Sequence, residues 1–246
     1  MIQLNSVSFQ WPQEHTPAVQ DITFSLSSGS LLCICGSNGS GKSTLLQLLA
    51  GVQHICEGTY IMDEICCPGS ESSLLKKTAL LLQDVEIQLL GSTVKENLLL
   101  PWSNPKDEYK QKAYELASLF ALEKYWNSSV HHLSHGQKQK LNIASALMLK
   151  PDLLLLDEPY SGLDYPATLQ LSKILQQLGQ KGLTRIISVH DLEQIIDITT
   201  NILILSEGKQ VFFGSPKETL HMISEHPEWN IRLPSFWIQN ASSQII

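Results

Sequence analysis

The 246-residue chain is short of several things at once. Its longest unbroken apolar run, Leu31–Cys35, falls far below the roughly 20 residues a helix needs to cross a bilayer, which excludes a membrane span. No basic patch followed by an apolar stretch opens the chain (MIQLNSVSFQWPQ), so no secretory signal is expected. Excess positive charge is missing as well. With 17 basic against 24 acidic side chains the net charge is −7, which weighs against a general binder of nucleic-acid backbones. The five cysteines form no C-x-x-C pair and meet no histidine at zinc spacing, and the cytoplasm is the expected compartment. Cys33 and Cys35 read as small buried hydrophobes, whereas the adjacent Cys66 and Cys67 are either a redox pair or two ordinary thiols. Charged residues make up 17% and hydrophobic ones 43%, a balance that excludes disorder and supports one large domain or two small ones.

The periodicity is that of an α/β chain. Strands are expected at Ile2–Phe9, 18–26 and Leu31–Cys35, followed by a glycine-rich turn and a helix over Lys42–Ala50 closed by Gly51. A strand over 79–82 follows. An amphipathic helix over 107–122 (Tyr109, Ala113, Leu116 and Phe120 on one face) and a second over 137–149 come next. The pattern then reverts to a strand at 153–156, a helix over 167–178 ended by Gly179, and strands at 185–189 and 202–205. Buried strands alternating with helices imply a parallel sheet, and the strandless stretch 85–149 reads as a helical insertion into it.

Gly36-Ser37-Asn38-Gly39-Ser40-Gly41-Lys42-Ser43 fits the Walker A pattern, with Thr44 next in the phosphate site, and stands where the pattern requires, after a strand and opening a helix. Glycines there let backbone N–H groups turn inward on a polyphosphate, and the helix points its positive end at the same place. Lys42 is the group to reach the β- and γ-phosphates, and the Ser43 hydroxyl is a ligand for Mg²⁺. Downstream, the four leucines 153–156 run into Asp157-Glu158, an apolar strand ending in two carboxylates. Read as a Walker B segment, Asp157 supports Mg²⁺ and Glu158 orients or deprotonates the attacking water. The alternative is a helix cap, since Asp-Glu-Pro is also a helix opening.

Between these segments Leu133-Ser134-His135-Gly136-Gln137 resembles the LSGGQ signature of the ABC ATPases, 23 residues before Asp157. Other parts match in order. Gln83 resembles the Q-loop glutamine, Ser161-Gly162-Leu163-Asp164 the D-loop, His190 the switch histidine, and Trp11 the aromatic that stacks on adenine. The resemblance covers essentially the whole chain and implies a P-loop NTPase (RecA-like) parallel-sheet core, an N-terminal antiparallel β subdomain and an inserted helical subdomain. The corresponding division is a core of 1–84 and 150–220, a signature subdomain of 85–149 and a C-terminal segment of 221–246.

By the same resemblance Glu158, His190 and Gln83 are catalytic, and Ser43, Gln83 and Asp157 hold Mg²⁺. Nucleotide contacts fall to Trp11, the loop from Gly36 to Thr44, Ser134, Gly136, Gln137 and Asp164. Ser134 and Gly136 serve ATP held by a second cassette, so two chains sandwich two nucleotides. Two residues depart from the pattern: His135 replaces a glycine, and Lys140 stands where arginine is usual. His135 either marks a non-identical pair with one fast and one slow site, or is a tolerated substitution.

Residues 83–100 (QDVEIQLLGSTVKENLLL) resemble the Q-loop region of energy-coupling-factor cassettes at Glu86, Gln88, Leu89 and Leu90, while Val85 and Ile87 depart from it. The tail 228–237 (EWNIRLPSFW) resembles that group's C-terminal segment. The implied function is ATP hydrolysis coupled to uptake of a vitamin or a transition-metal ion such as cobalt or nickel. Separate transmembrane subunits would carry the solute, with the chain peripheral on the cytoplasmic face and no nucleic acid as partner. The alternatives are another class of ABC transporter cassette, or a soluble ABC-type ATPase acting on DNA or ribosomes, which usually carries a long coiled-coil insertion or a second cassette; neither is present.

Overall fold

The computed structural model describes residues 1–242. Among the described residues ten strands share one sheet in the spatial order β5-β4-β1-β2-β10-β9-β3-β8-β7-β6. The half that bears the site is β3 (Leu31–Cys35), β6 (Thr78–Leu81), β7 (Leu153–Asp157), β8 (Thr184–Val189) and β9 (Asn201–Ser206), all parallel. The other half is antiparallel: β1 (Ile2–Phe9), β2 (Val19–Leu26), β4 (Glu57–Met62) and β5 (Ile65–Cys67). β10 (Lys209–Gly214) forms a hairpin with β9 and touches β2 at one register point, Lys209 opposite Gln20.

Alternation along the buried strands divides the core in two. Leu31, Cys33 and Cys35 face one apolar cluster with Leu154, Leu156, Ile187 and Ile204, while Leu32 and Ile34 face another with Leu153, Leu155, Ile186 and Leu203. The second cluster is covered by α1 (Lys42–Ala50) and α2 (Glu71–Lys77). On the first side lie α3 (Val94–Leu99), α4 (Asp107–Leu119), α5 (His135–Leu147), α6 (Tyr165–Gln180) and α7 (Pro216–Glu225). α8 (Ser235–Ser242) ends the described chain. Two faces of contact explain why these strands are apolar throughout: each fully buried leucine contributes about 1.5–3 kcal/mol. Among the described residues 85–149 hold no strand, only an isolated bridge between Thr93 and Ser129.

Three sequence expectations need correction. Helix α5 starts at His135 rather than at 137, because Ser134 and Gln137 form a capping box that fixes the start one residue after Ser134. Gly179 does not end α6 but lies inside it. A Cβ there would sit 1.9 Å from an Arg185 guanidinium nitrogen, so glycine makes room for that buried side chain. Asp157-Glu158 caps no helix either, since α6 begins at Tyr165 behind its own cap, Asp164, which accepts from the Ala167 N–H at 2.9 Å. All five cysteines are free thiols; Cys66 is exposed and Cys67 buried, on opposite faces of β5.

Candidate nucleotide site

The loops that follow β3, β6, β7 and β8 emerge together at the carboxyl ends of four adjacent parallel strands, where open α/β sheets place their ligands. The loop after β3 requires its glycines for different reasons. A Cβ on Gly36 would meet the Leu205 carbonyl at 2.2 Å, and one on Gly41 the Ala18 carbonyl at 2.5 Å. Gly39 has φ +76° with open space beyond it, so only its backbone conformation excludes other residues.

This loop holds a positive charge that has no counter-charge beside it. Lys42 is buried, 5% exposed, yet among the described residues its ammonium donates to two carbonyls only, Gly36 O at 2.9 Å and Ser37 O at 3.0 Å. Among the described residues no carboxylate pairs with it, and a buried charge without a counter-charge is costly. Helix α1 begins behind Gly41 with no side-chain cap, leaving its first N–H groups turned to the loop. Among the described residues the buried Ser40 hydroxyl has no hydrogen-bond partner either. An ammonium, open N–H groups and a spare hydroxyl together fit a polyphosphate. Ser43 is exposed at the mouth of the loop and Thr44 half-buried behind it. The turn bearing Trp11 is tied beside the loop, because Ala18 pairs with Phe9 and packs its carbonyl on Gly41. Trp11 itself stands edge-on to Phe9, with centroids 4.9 Å apart.

Glu158 lies at the end of β7 between the two strands that flank it. Its carboxylate accepts from Gln83 Nε2 at 3.0 Å, on the β6 side, and pairs with His190 Nε2 on the β8 side. The backbone at Glu158 is left-handed, φ +50°, a conformation costing roughly 1–2 kcal/mol that turns the chain sharply after the strand. Asp157 stays buried within β7, and Ser188 on the neighbouring strand donates to its Oδ1 at 2.5 Å. The same Ser188 Oγ accepts from the Glu158 N–H at 2.9 Å. Sequence reasoning passed over Ser188, although a lone hydroxyl among the apolar residues Ile186, Ile187 and Val189 was the available signal. A cavity of about 200 Å³ opens beside Glu158 and His190, lined also by Tyr160, Ser161 and Gln194.

Gln88 was matched by resemblance, but its bonding was not legible. Its Oε1 accepts from Leu82 N–H and from Asn142 Nδ2, each at 2.9 Å, and its Nε2 donates to Leu80 O at 3.2 Å. One amide thus fastens β6 and the segment after it to α5. The Glu86–Lys138 ion pair repeats the connection, and the bond from Lys138 holds the Glu86 carboxyl below its ordinary range.

Ser134, Gly136 and Gln137 stand elsewhere, on a cavity of about 430 Å³ that they share with Gly162, Leu163 and Asp164 and to which no phosphate-loop residue contributes. Gln137 Oε1 accepts from Ser134 N–H at 2.9 Å, while Ser134 Oγ accepts from Gln137 N–H at 3.3 Å, leaving the hydroxyl proton free to donate. Lys140 reaches Gln170 Oε1 at 2.5 Å, and burial lowers its ammonium below the usual lysine range against the opposing pull of Asp164. The structure therefore brings Gln83, Asp157, Glu158 and His190 together and sets the signature residues on a separate face.

Fold and site define a P-loop nucleotide-binding cassette. The chain belongs to the ABC transporter family, whose model matches residues 19–161. It is 32% identical over 240 residues to the energy-coupling factor transporter ATP-binding protein EcfA of Methanothermobacter thermautotrophicus, spanning 95% of this chain and 77% of that protein. It is 33% identical over 227 residues to EcfA1 of Mycoplasmopsis synoviae, spanning 90% and 85%. Among solved structures it matches CbiO1 of Clostridium perfringens, part of the ABC transporter complex cbiONQ, with TM-score 0.82 and 26% identity over 92% of this chain and 94% of that one. A dimeric cassette in a post-hydrolysis state, bound to ADP and Pi, matches with TM-score 0.76 and 26% identity over 88% and 99%. The chain is the nucleotide-binding ATPase subunit of an ABC transporter.

Proposed function

We propose that the chain is one cassette of a pair that couples ATP hydrolysis to solute import, in an energy-coupling-factor-type transporter for a vitamin or a transition-metal ion such as cobalt or nickel. The observation that carries the nucleotide chemistry is the buried, unpaired Lys42 ammonium beside the uncapped start of α1. Similarity to EcfA proteins and to CbiO1 supports the importer class. No described helix is long and apolar enough to cross a membrane, so transport on this reading needs separate transmembrane subunits, with the cassette peripheral on the cytoplasmic face.

On this reading each residue has a part. The loop N–H groups and Lys42 bind the phosphates, and Trp11 supplies a ring for adenine. Ser43, Gln83 and Asp157 offer a hydroxyl, an amide oxygen and a carboxylate, an all-oxygen set suited to Mg²⁺, which when bound offsets phosphate charge. Glu158 takes the water proton as general base, held in place by Gln83 and His190. His190 carries an N–H that can turn to the γ-phosphate. Ser134 and Gly136 lie off this chain's own site, as donors serving a second cassette's nucleotide must. Asp164 and Gln137 act through their caps on α6 and α5.

Co-expression with neighbouring genes tests the transport reading. The cassette is expected to co-purify with an integral membrane protein and a second cassette, identical or not. Recovery with ribosomes or DNA and no membrane protein would overturn it.

A further inference from the structure

His135 occupies a signature position that is glycine in the family pattern, and its ring is engaged by the other loop of the same face. Its Nε2 lies 3.2 Å from the Ser161 carbonyl oxygen, and because a carbonyl only accepts, Nε2 is the protonated nitrogen. The ring lies over Gly162, where a Cβ would stand 3.1 Å from His135 Cδ2 on a backbone of φ +71°. Beside it Leu163 approaches Gly136, whose Cβ would meet Leu163 Cδ2 at 3.2 Å. Ser161 is itself held to the turn after β7, since its N–H donates to the Glu158 carbonyl at 3.1 Å. One side chain therefore connects the first residue of α5 to the backbone that carries Glu158. A glycine at position 135 has no such link to offer.

We propose that His135 is a positioning residue that fastens the signature helix to the D-loop of its own chain. The surface this chain presents to a second cassette's nucleotide then moves with the turn holding this chain's own Glu158. The inference rests on the paired-cassette reading above. It also gives the ring a role other than crowding a phosphate, since its donor is directed at Ser161 rather than into open space.

Steady-state ATP turnover of the full chain tests this with H135F, which keeps a ring without a donor, H135G, which restores the family residue, and H135Q, which returns an N–H at similar reach. H135F and H135G are expected to lower kcat about five- to tenfold, the worth of one hydrogen bond, with the KM for ATP changed less than about twofold. H135Q is expected to recover kcat to within about twofold of wild type, the conservative donor replacing the lost bond. Wild-type kcat in H135F and H135G, loss in H135Q equal to that in H135F, or an effect confined to KM would each overturn the assignment. Wild-type turnover per chain that stays the same when the protein is diluted to a monomer would instead remove the paired-cassette reading, and the role of His135 with it.

Discussion

Gln83 Nε2 donates to Glu158 Oε2 at 3.0 Å across 75 residues of sequence, because β6 and β7 lie side by side and end together. The amide is thus the tether of the proposed base on one flank, with His190 on the other. Gln83→Ala is expected to lower kcat about tenfold, roughly the worth of one hydrogen bond to a charged group, with a smaller change in KM. Steady-state ATPase kinetics check this, and an unchanged kcat contradicts it.

Ser188 holds both carboxylate residues at once, through the Asp157 side chain and the Glu158 backbone. Ser188→Ala leaves a buried carboxylate short of a donor and an N–H unpaired. Denaturant unfolding is expected to register a loss of about 1–3 kcal/mol, and turnover to fall at least as far as in Gln83→Ala. Stability and turnover equal to wild type would deny Ser188 this part.

Burial also decides which thiols react. It pushes Cys33 well up and Cys35 up to about 12, against the lowering pull of Lys42, so neither yields thiolate at neutral pH. Cys67 is raised by burial too, while Cys56 and Cys66 are exposed. Thiol titration of native protein at pH 8 is expected to show two fast thiols, Cys56 and Cys66, and all five after unfolding. Rapid labelling of Cys33 or Cys35 in the native state would contradict this.

Arg185 is buried with carbonyl partners only, Leu175 O at 2.6 Å and Gly29 O at 2.5 Å, and burial lowers its guanidinium to about 10. Gly179→Ala drives a methyl into that guanidinium and is expected to cost about 2 kcal/mol or more, as bonds of a buried charge are lost. A midpoint equal to wild type in chemical denaturation would show that α6 yields without cost.

What the sequence made legible is what depends on short patterns. Gly36 to Ser43, the leucines 153–156 and the order of the motifs give the parallel core and the cluster at its carboxyl end. Strands β4 and β10 escaped because most of their residues are exposed or half-buried, which erases a clean alternation. The helix end assigned to Gly179 failed because its glycine answers to Arg185, a neighbour in space rather than in sequence. The bonds of Gln88 to β6 and α5, of Ser188 to β7 and of His135 to Ser161 all cross between elements, and no periodicity announces them.

Glu158 is where the account stands or falls, and Glu158→Gln measures it most directly. The amide keeps the shape of the side chain but gives up its charge, one of the two acceptor oxygens that face Gln83 and His190, and its capacity to take a proton. ATP binding, followed by equilibrium nucleotide titration, is expected to persist, while turnover falls by roughly 10²–10⁴-fold, the usual contribution of a general base. Turnover equal to wild type with ATP bound would contradict the assignment of Glu158 as the base.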